Sequence, residues 1–197
     1  AYAALVSLMS DNPDFVTGTY ATTRRLLQTR EMFGFFSNPL ALRLRFEGDM
    51  SFRDWLARVR ATVIEMSAHA RIPYDALWDE LRSKGIASPE IHSIFSVAPE
   101  LPRTRLAGIE MTPLDRVWGH MPWGFTMQHR RSRDRERCLA TFDATVHHPT
   151  AVRGFLKRYQ RFLERICAEP DRPLRELVPR RSRRFGPLLQ RRLASRR

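Results

Sequence analysis

Residues 33–43 read FGFFSNPLALR, and the alternation runs on through Leu44 to Phe46. Leu40, Leu42, Leu44 and Phe46 fall on one side, with Ala41, Arg43 and Arg45 on the other. Period two over this length predicts a half-buried strand. Gly34 and Pro39 punctuate its beginning, where the backbone turns and a ladder donor is missing.

Upstream, Asp14 to Tyr20 is a β-rich run broken by Gly18; Thr22, Thr23, Arg24 and Arg25 follow as an exposed loop. The opening AYAALVSLMS has no initiator Met and no basic leader. It does not read as a signal peptide but as the last turns of a helix, so a fragment is expected. Downstream, Ser51 with Asp54 resembles a capping box. Phe52, Trp55, Leu56, Val59, Val63, Ile64 and Met66 then recur at helical spacing until about Ser67–His69. Pro73 announces a second helix, with Tyr74, Leu77, Trp78 and Leu81 as its core face and Gly85 as its stop.

Ile91 to Ala98 is a nearly continuous apolar run, predicting a central strand, and Leu106 to Pro113 is a weaker strand. Trp123–Gln128 and Cys138–Val146 predict two strands flanking RRSRDRER, read as a solvated hairpin tip. Pro149 opens a helix whose Val152, Phe155, Leu156, Tyr159, Phe162, Leu163 and Ile166 form one stripe; Pro170 and Pro173 end it. Trp55, Trp78 and Phe155 belong to packing stripes rather than to a cofactor site. Strands alternating with amphipathic helices imply an α/β class with a mixed β-sheet and flanking helices.

A chain of 197 residues, 43% hydrophobic, fits one domain or one large lobe. No apolar run approaches the roughly 20 residues of a membrane helix. Cys138 and Cys167 lack metal-ligand or CxxC spacing; buried thiols in a reducing cytoplasm are expected, in preference to a disulfide. Eight of the +13 charges are arginines in residues 179–197, leaving +5 for the rest. Basicity is thus mainly a tail property, read as a linker or as attraction to an acidic carrier. No zinc finger, helix-turn-helix or RNA-binding signature supports nucleic acid.

The order of segments resembles the C-terminal half of a nonribosomal peptide synthetase condensation domain, whose lobes are chloramphenicol acetyltransferase-like. FVTGTYATTRR (15–25) is similar to that family's strand ending in Gly-Thr. FGFFSNPLALR matches its Gly-x-Phe-x-Asn-(Thr)-Leu-x-x-Arg motif at Gly34, Phe36, Asn38, Leu40 and Arg43, with Pro39 in place of Thr. HARIPYDAL (69–77) matches at Pro73 and Leu77, with Tyr74 and Asp75 conservative and Arg71 replacing an acid. SPEIHSIFSV (88–97), containing Ser96, resembles the Asn-Pro-Leu-Phe strand, but the preceding Arg-Asp-x-Ser-Arg is not recognisable. The resemblance covers residues 1–178, the expected lobe, with 179–197 as an Arg-rich tail.

The resemblance implies amide formation between acyl and aminoacyl groups carried on phosphopantetheine arms of carrier proteins, with no metal or organic cofactor bound directly. The tunnel or motif residues it implies are Gly34, Phe36, Asn38, Arg43, Pro73, Tyr74 and Ser96, with a structural role for Asn38 and Arg43, capping a turn and covering a strand edge, preferred to substrate contact. The family's His-His-x-x-x-Asp-Gly motif belongs to an N-terminal lobe, and this chain contains no such motif. His147-His148 is followed by Pro-Thr-Ala-Val, so a solvated or capping role is expected there rather than catalysis. His69, His92, His120 and His129 form no metal-ligand spacing. Catalytic residues are therefore expected in a missing lobe, with the lobe present here inactive by itself. Competing expectations are a degenerate carrier-interaction lobe, or a lobe of a related epimerisation or ester-forming acyltransferase domain.

Overall fold

The computed structural model describes residues 1–10, 12–24, 27–47, 49–86, 91–99, 104–112, 123–131 and 136–178. Helix α1 (Tyr2–Ser10) leads into β1 (Asp14–Thr22), a short 3-10 turn (Leu27–Thr29) and β2 (Ser37–Arg45). Helices α2 (Phe52–Ala68) and α3 (Tyr74–Ser83) precede β3 (Ser93–Pro99) and a small pair, β4 (Thr104–Leu106) and β5 (Ile109–Met111). Then come β6 (Phe125–Arg131), β7 (Glu136–Phe142), α4 (Pro149–Ala168) and α5 (Leu174–Leu177).

The main sheet has the order β2-β1-β3-β6-β7. Strands β1, β3 and β6 run parallel, while β2 and β7 are antiparallel edges. The expected mixed sheet is therefore present, and the Ile91–Ala98 run supplies its central strand with the bounds shifted to Ser93–Pro99. In β2 the alternation holds: Leu40, Leu42, Leu44 and Phe46 are 8%, 7%, 1% and 3% exposed, against exposed Arg43 and Arg45. Each such burial contributes about 1.5–3 kcal/mol. Pro39 sits on an edge strand, where its missing donor disturbs only the outer side.

Helix α4 fulfils its stripe. Val152, Phe155, Tyr159, Phe162 and Ile166 are all buried, with Leu156 and Leu163 half-buried beside them. Phe155 meets Phe125 edge-on at 5.8 Å, and Tyr2 of α1 stacks on Phe95 at 5.1 Å. The His148 ring accepts from the Thr150 amide at 3.3 Å and caps the helix, with Pro149 in its first turn. Helices α1, α2, α4 and α5 share one core against a single face of the sheet.

Helix α2 begins as its sequence requires: Ser51 Oγ accepts from the Asp54 amide at 3.2 Å. Trp55 is buried against Phe46, with ring centroids 5.3 Å apart. Phe52, Val59 and Met66 pack half-buried against the core as expected, but Leu56, Val63 and Ile64 depart from the reading and are exposed. The helix lies along an edge strand, so only one flank finds a neighbour among the described residues. Helix α3 differs likewise: Leu77 is exposed, and Tyr74, Trp78 and Leu81 are only half-buried.

Four further expectations are corrected. The single strand over 106–113 is a hairpin of β4 and β5, turned at Ala107 (φ 49°) and Gly108 (φ 84°). Positive φ at both central residues matches the right-handed twist of the flanking strands. Strand β7 stops at Phe142 rather than Val146, because Asp143 Oδ1 accepts from the Thr145 amide at 2.8 Å and turns the chain. Of RRSRDRER, Arg130, Arg131, Glu136 and Arg137 belong to the strands, and residues 132–135 lie outside the described residues. Finally, the thiols are free, as expected, but exposed rather than buried. Cys138 is on the outer strand β7, and Cys167 follows the buried Ile166 onto the solvent side of α4.

Candidate functional site

The two faces of the sheet differ in chemistry. On the helix-covered face, Thr17 Oγ1 donates to the Ser93 carbonyl at 3.1 Å between apolar neighbours. On the opposite face lie Gly18, Ile94, Ser96, Gln128 and Arg130, placed there by the period of two. A Cβ on Gly18 would stand 2.2 Å from Ile94 Cδ1 and 2.7 Å from Ile91 Cγ2, so the glycine makes room for these two side chains. Gln128 Nε2 donates to Ser96 Oγ at 3.5 Å, and Arg130 Nε donates to Gln128 Oε1 at 2.9 Å. Beside them the Thr126 hydroxyl is buried with no partner among the described residues. This is a polar wall carrying a serine, an amide and a guanidinium.

The first rungs of β2 form a second centre. Asn38 Nδ2 donates to the carbonyls of Ala70 (3.0 Å) and Ile72 (2.7 Å), and its Oδ1 accepts from the Tyr74 amide at 3.2 Å. Three of its four hydrogen-bonding capacities therefore join the sheet to the α2–α3 turn. Pro73 precedes α3 as its N-cap, and Tyr74 packs against Trp78 (6.0 Å) and Trp123 (5.9 Å). Trp123 Nε1 in turn donates to Tyr20 Oη at 2.9 Å. Gly34 and Phe36 occupy the preceding loop, where the Arg24 guanidinium donates to the Gly34 carbonyl at 3.4 Å and lies 4.0 Å over the Phe36 ring.

The structure thus brings Asn38, Pro73 and Tyr74 together, and Gly34 with Phe36 beside them. It separates the other two. Arg43 is at the far end of β2, in a two-pronged pair with Asp14 (2.9 and 2.7 Å) that Arg45 joins at 3.1 Å. The hydrogen bond from Arg43 holds the Asp14 carboxyl below its ordinary range. Ser96 lies on the face opposite Asn38. Sequence reasoning missed Tyr20, Trp123, Gln128 and Arg130, whose partners lie a strand or more away. The alternation of β6 was the available signal for Gln128 and Arg130.

The histidines lie elsewhere. His147 is buried edge-on to Phe125 at 5.9 Å, and burial lowers its pKa. His129 shares a 3.2 Å hydrogen bond with Tyr159 Oη on the helix-covered face, and burial lowers its pKa too. Among the described residues no group of His, Cys, Asp and Glu could hold a metal ion. None of their helices is long and apolar enough to cross a membrane. The polar wall can orient a substrate by hydrogen bonding through Ser96, Gln128 and Arg130.

The profile of the condensation domain matches residues 1–184. The chain belongs to the condensation-domain family. It is 30% identical over 183 residues to one of the linear gramicidin synthase proteins of Brevibacillus parabrevis, covering 90% of this chain and 2% of that protein. It is 42% identical over 83 residues to phosphinothricin tripeptide synthetase PhsC of Streptomyces viridochromogenes, covering 42% of this chain and 8% of that one. Among solved structures, the starter condensation domain of rhizomide synthetase RzmA superposes with a TM-score of 0.74 at 18% identity. The condensation domain of the Monacolin K polyketide synthase MokA does so with 0.73 at 22%. Each superposition covers 88% of this chain and 41% of the other. The sheet and helices described above are therefore those of an acetyltransferase-like condensation fold, and the chain spans less than half of a solved domain.

Proposed function

We propose that this chain is the C-terminal lobe of a condensation domain that joins carrier-tethered acyl and aminoacyl groups into an amide. The observation that supports this reading most is the extent of the match: 88% of the chain onto 41% of a condensation domain. The motif order from Gly34 to Ser96 favours the C-terminal half, and the residues present hold no His-His-x-x-x-Asp-Gly. In the reaction the acceptor amine attacks the thioester carbonyl; a C–N bond forms, the C–S bond breaks, and the amine's proton ends on the departing thiol. Both reactants arrive on flexible phosphopantetheine arms, so most of the barrier reduction comes from proximity in a shared channel.

The base belongs to the partner lobe. This lobe contributes a wall: Ser96, Gln128 and Arg130 offer hydrogen bonds to the tethered groups, while Asn38 on the other face fixes the α2–α3 turn to the sheet. Carrier proteins and the complementary lobe are the partners, and the cytoplasm is the site of action. Residues 179–197 lie outside the described residues and serve as a linker, with carrier docking as the next reading.

The test joins this chain to a lobe bearing His-His-x-x-x-Asp-Gly and supplies an acyl-loaded and an aminoacyl-loaded carrier. Intact-mass analysis should find the amide on the acceptor carrier only with both lobes present. Turnover by this chain alone, an ester product, or carrier binding without any product overturns the reading.

A further inference from the structure

Resting on the two-lobe reading above, we infer that residues 27–36, in the β1–β2 loop, are a preformed apolar plug for the complementary lobe, held in shape by Arg24. The Arg24 guanidinium gathers one stretch of loop backbone. Its Nη1 donates to the carbonyls of Thr29, Met32 (2.7 Å) and Arg30 (3.5 Å), and its Nη2 to that of Gly34 (3.4 Å). The same plane stacks on Phe36. The loop's base is closed by the Thr23 amide donating to the Phe36 carbonyl at 2.8 Å. A planar fork with five donors suits this task; a lysine ammonium offers three donors and no flat face.

The outer half of the loop has the opposite chemistry. Phe33 and Phe35 are 105% and 86% exposed, and Leu27 and Met32 also project into solvent. An apolar patch that is both exposed and fixed in shape marks an interaction surface. Here the free energy of ordering the loop is already met by Arg24, so a partner need not supply it. The occupant follows from the family. This chain matches 41% of each of two solved condensation domains, so more than half of each lies outside the matched portion, and that remainder is the occupant we assign. The loop closes the same end of β1 and β2 as Asn38, and Gly34 and Phe36 of the family motif form its inner half. Phe33 and Phe35 alternate with these two, so one short stretch grips Arg24 with one set of residues and reaches outward with the other.

The experiment uses the full chain and, as probe, the separately produced remaining portion of a condensation domain from the linear gramicidin synthase protein compared above. Binding is measured by titration calorimetry, and Phe33→Trp reports on the loop tip by fluorescence. We expect a blue shift of the tryptophan on binding. Phe33→Ser with Phe35→Ser should weaken affinity at least tenfold, and so should Arg24→Lys. Leu56→Ser, on the exposed flank of α2, should leave it unchanged. Circular dichroism checks that each variant is folded. No association, an unshifted tryptophan, or equal affinity of the double variant overturns the inference. So does a dimer of the chain alone that the double variant abolishes, which would make a second copy the occupant. Tip-dependent binding without amide formation leaves the plug standing and removes the catalytic reading. Amide formation that ignores the tip does the reverse.

Discussion

Helices α2 and α4 begin from similar sequence patterns and end in different surroundings. Both carry apolar residues at helical spacing, and both open with a side-chain cap, Ser51 in one and His148 in the other. Every stripe residue of α4 is buried or half-buried, because the helix packs on β6 through Phe155 and Tyr159 and lies beside α1. In α2 only Trp55 is fully buried, because the helix follows an edge strand. Periodicity states that a face is apolar; the neighbour that covers it is set by topology.

The comparison can be broken by substitution. The largest effect should come from Phe162→Ala in α4, at about 3–5 kcal/mol of unfolding free energy by denaturant titration. Leu56→Ala in α2 should cost within about 0.5 kcal/mol. Comparable losses would mean that α2 is covered in solution. Gly18→Val should follow, at about 1–3 kcal/mol, since Ile94 and Ile91 must move away from the new side chain. The caps come next: Ser51→Ala and His148→Ala should each lower stability by about 1 kcal/mol, with the loss localised by amide exchange to the first turn of the respective helix.

The smallest effect is that of pH between 7.5 and 5.5, and it falls on the α4 side, where the buried His147 and the half-buried His129 lie. Burial lowers the pKa of His147 and of His129 below the ordinary 6.5. The unfolded chain then binds protons that the folded chain refuses, so their contribution is complete above 6.5 and is lost as pH falls through the folded values. Around His147 the carboxylate of Asp143 opposes the shift, which limits its size. Thermal midpoints should decline between pH 7.5 and 5.5, and His147→Gln should flatten part of that slope. An unchanged slope in this variant would assign the decline to other groups.

Legibility in the sequence followed the range of the interaction. Strand β2 and helix α4 were readable because their burial repeats over many residues at a fixed period. The β4–β5 hairpin was not, because Ala107-Gly108 lacks the Asn-Gly or Asp-Gly signature of its turn. The exposure of Cys138 depended on β7 being an edge, which only the strand order decides. At the candidate site, the motif residues were readable but not their grouping. Asn38 finds its partners 32 to 36 residues away, at Ala70, Ile72 and Tyr74. Arg24 was visible merely as one of two adjacent arginines, although its side chain gathers the carbonyls of Thr29, Arg30, Met32 and Gly34 and stacks on Phe36.

Pro39 has a further consequence for how the molecule behaves in a crowded solution. The leucine repeat of β2 is the kind of pattern that recruits a foreign strand when it lies at a rim. The imide ring deprives an incoming chain of a donor near the first rungs, and the Arg43 and Arg45 charges repel a second β2 brought alongside. A rim so equipped is disfavoured as a template for its own kind, although its spacing is the one that builds the core.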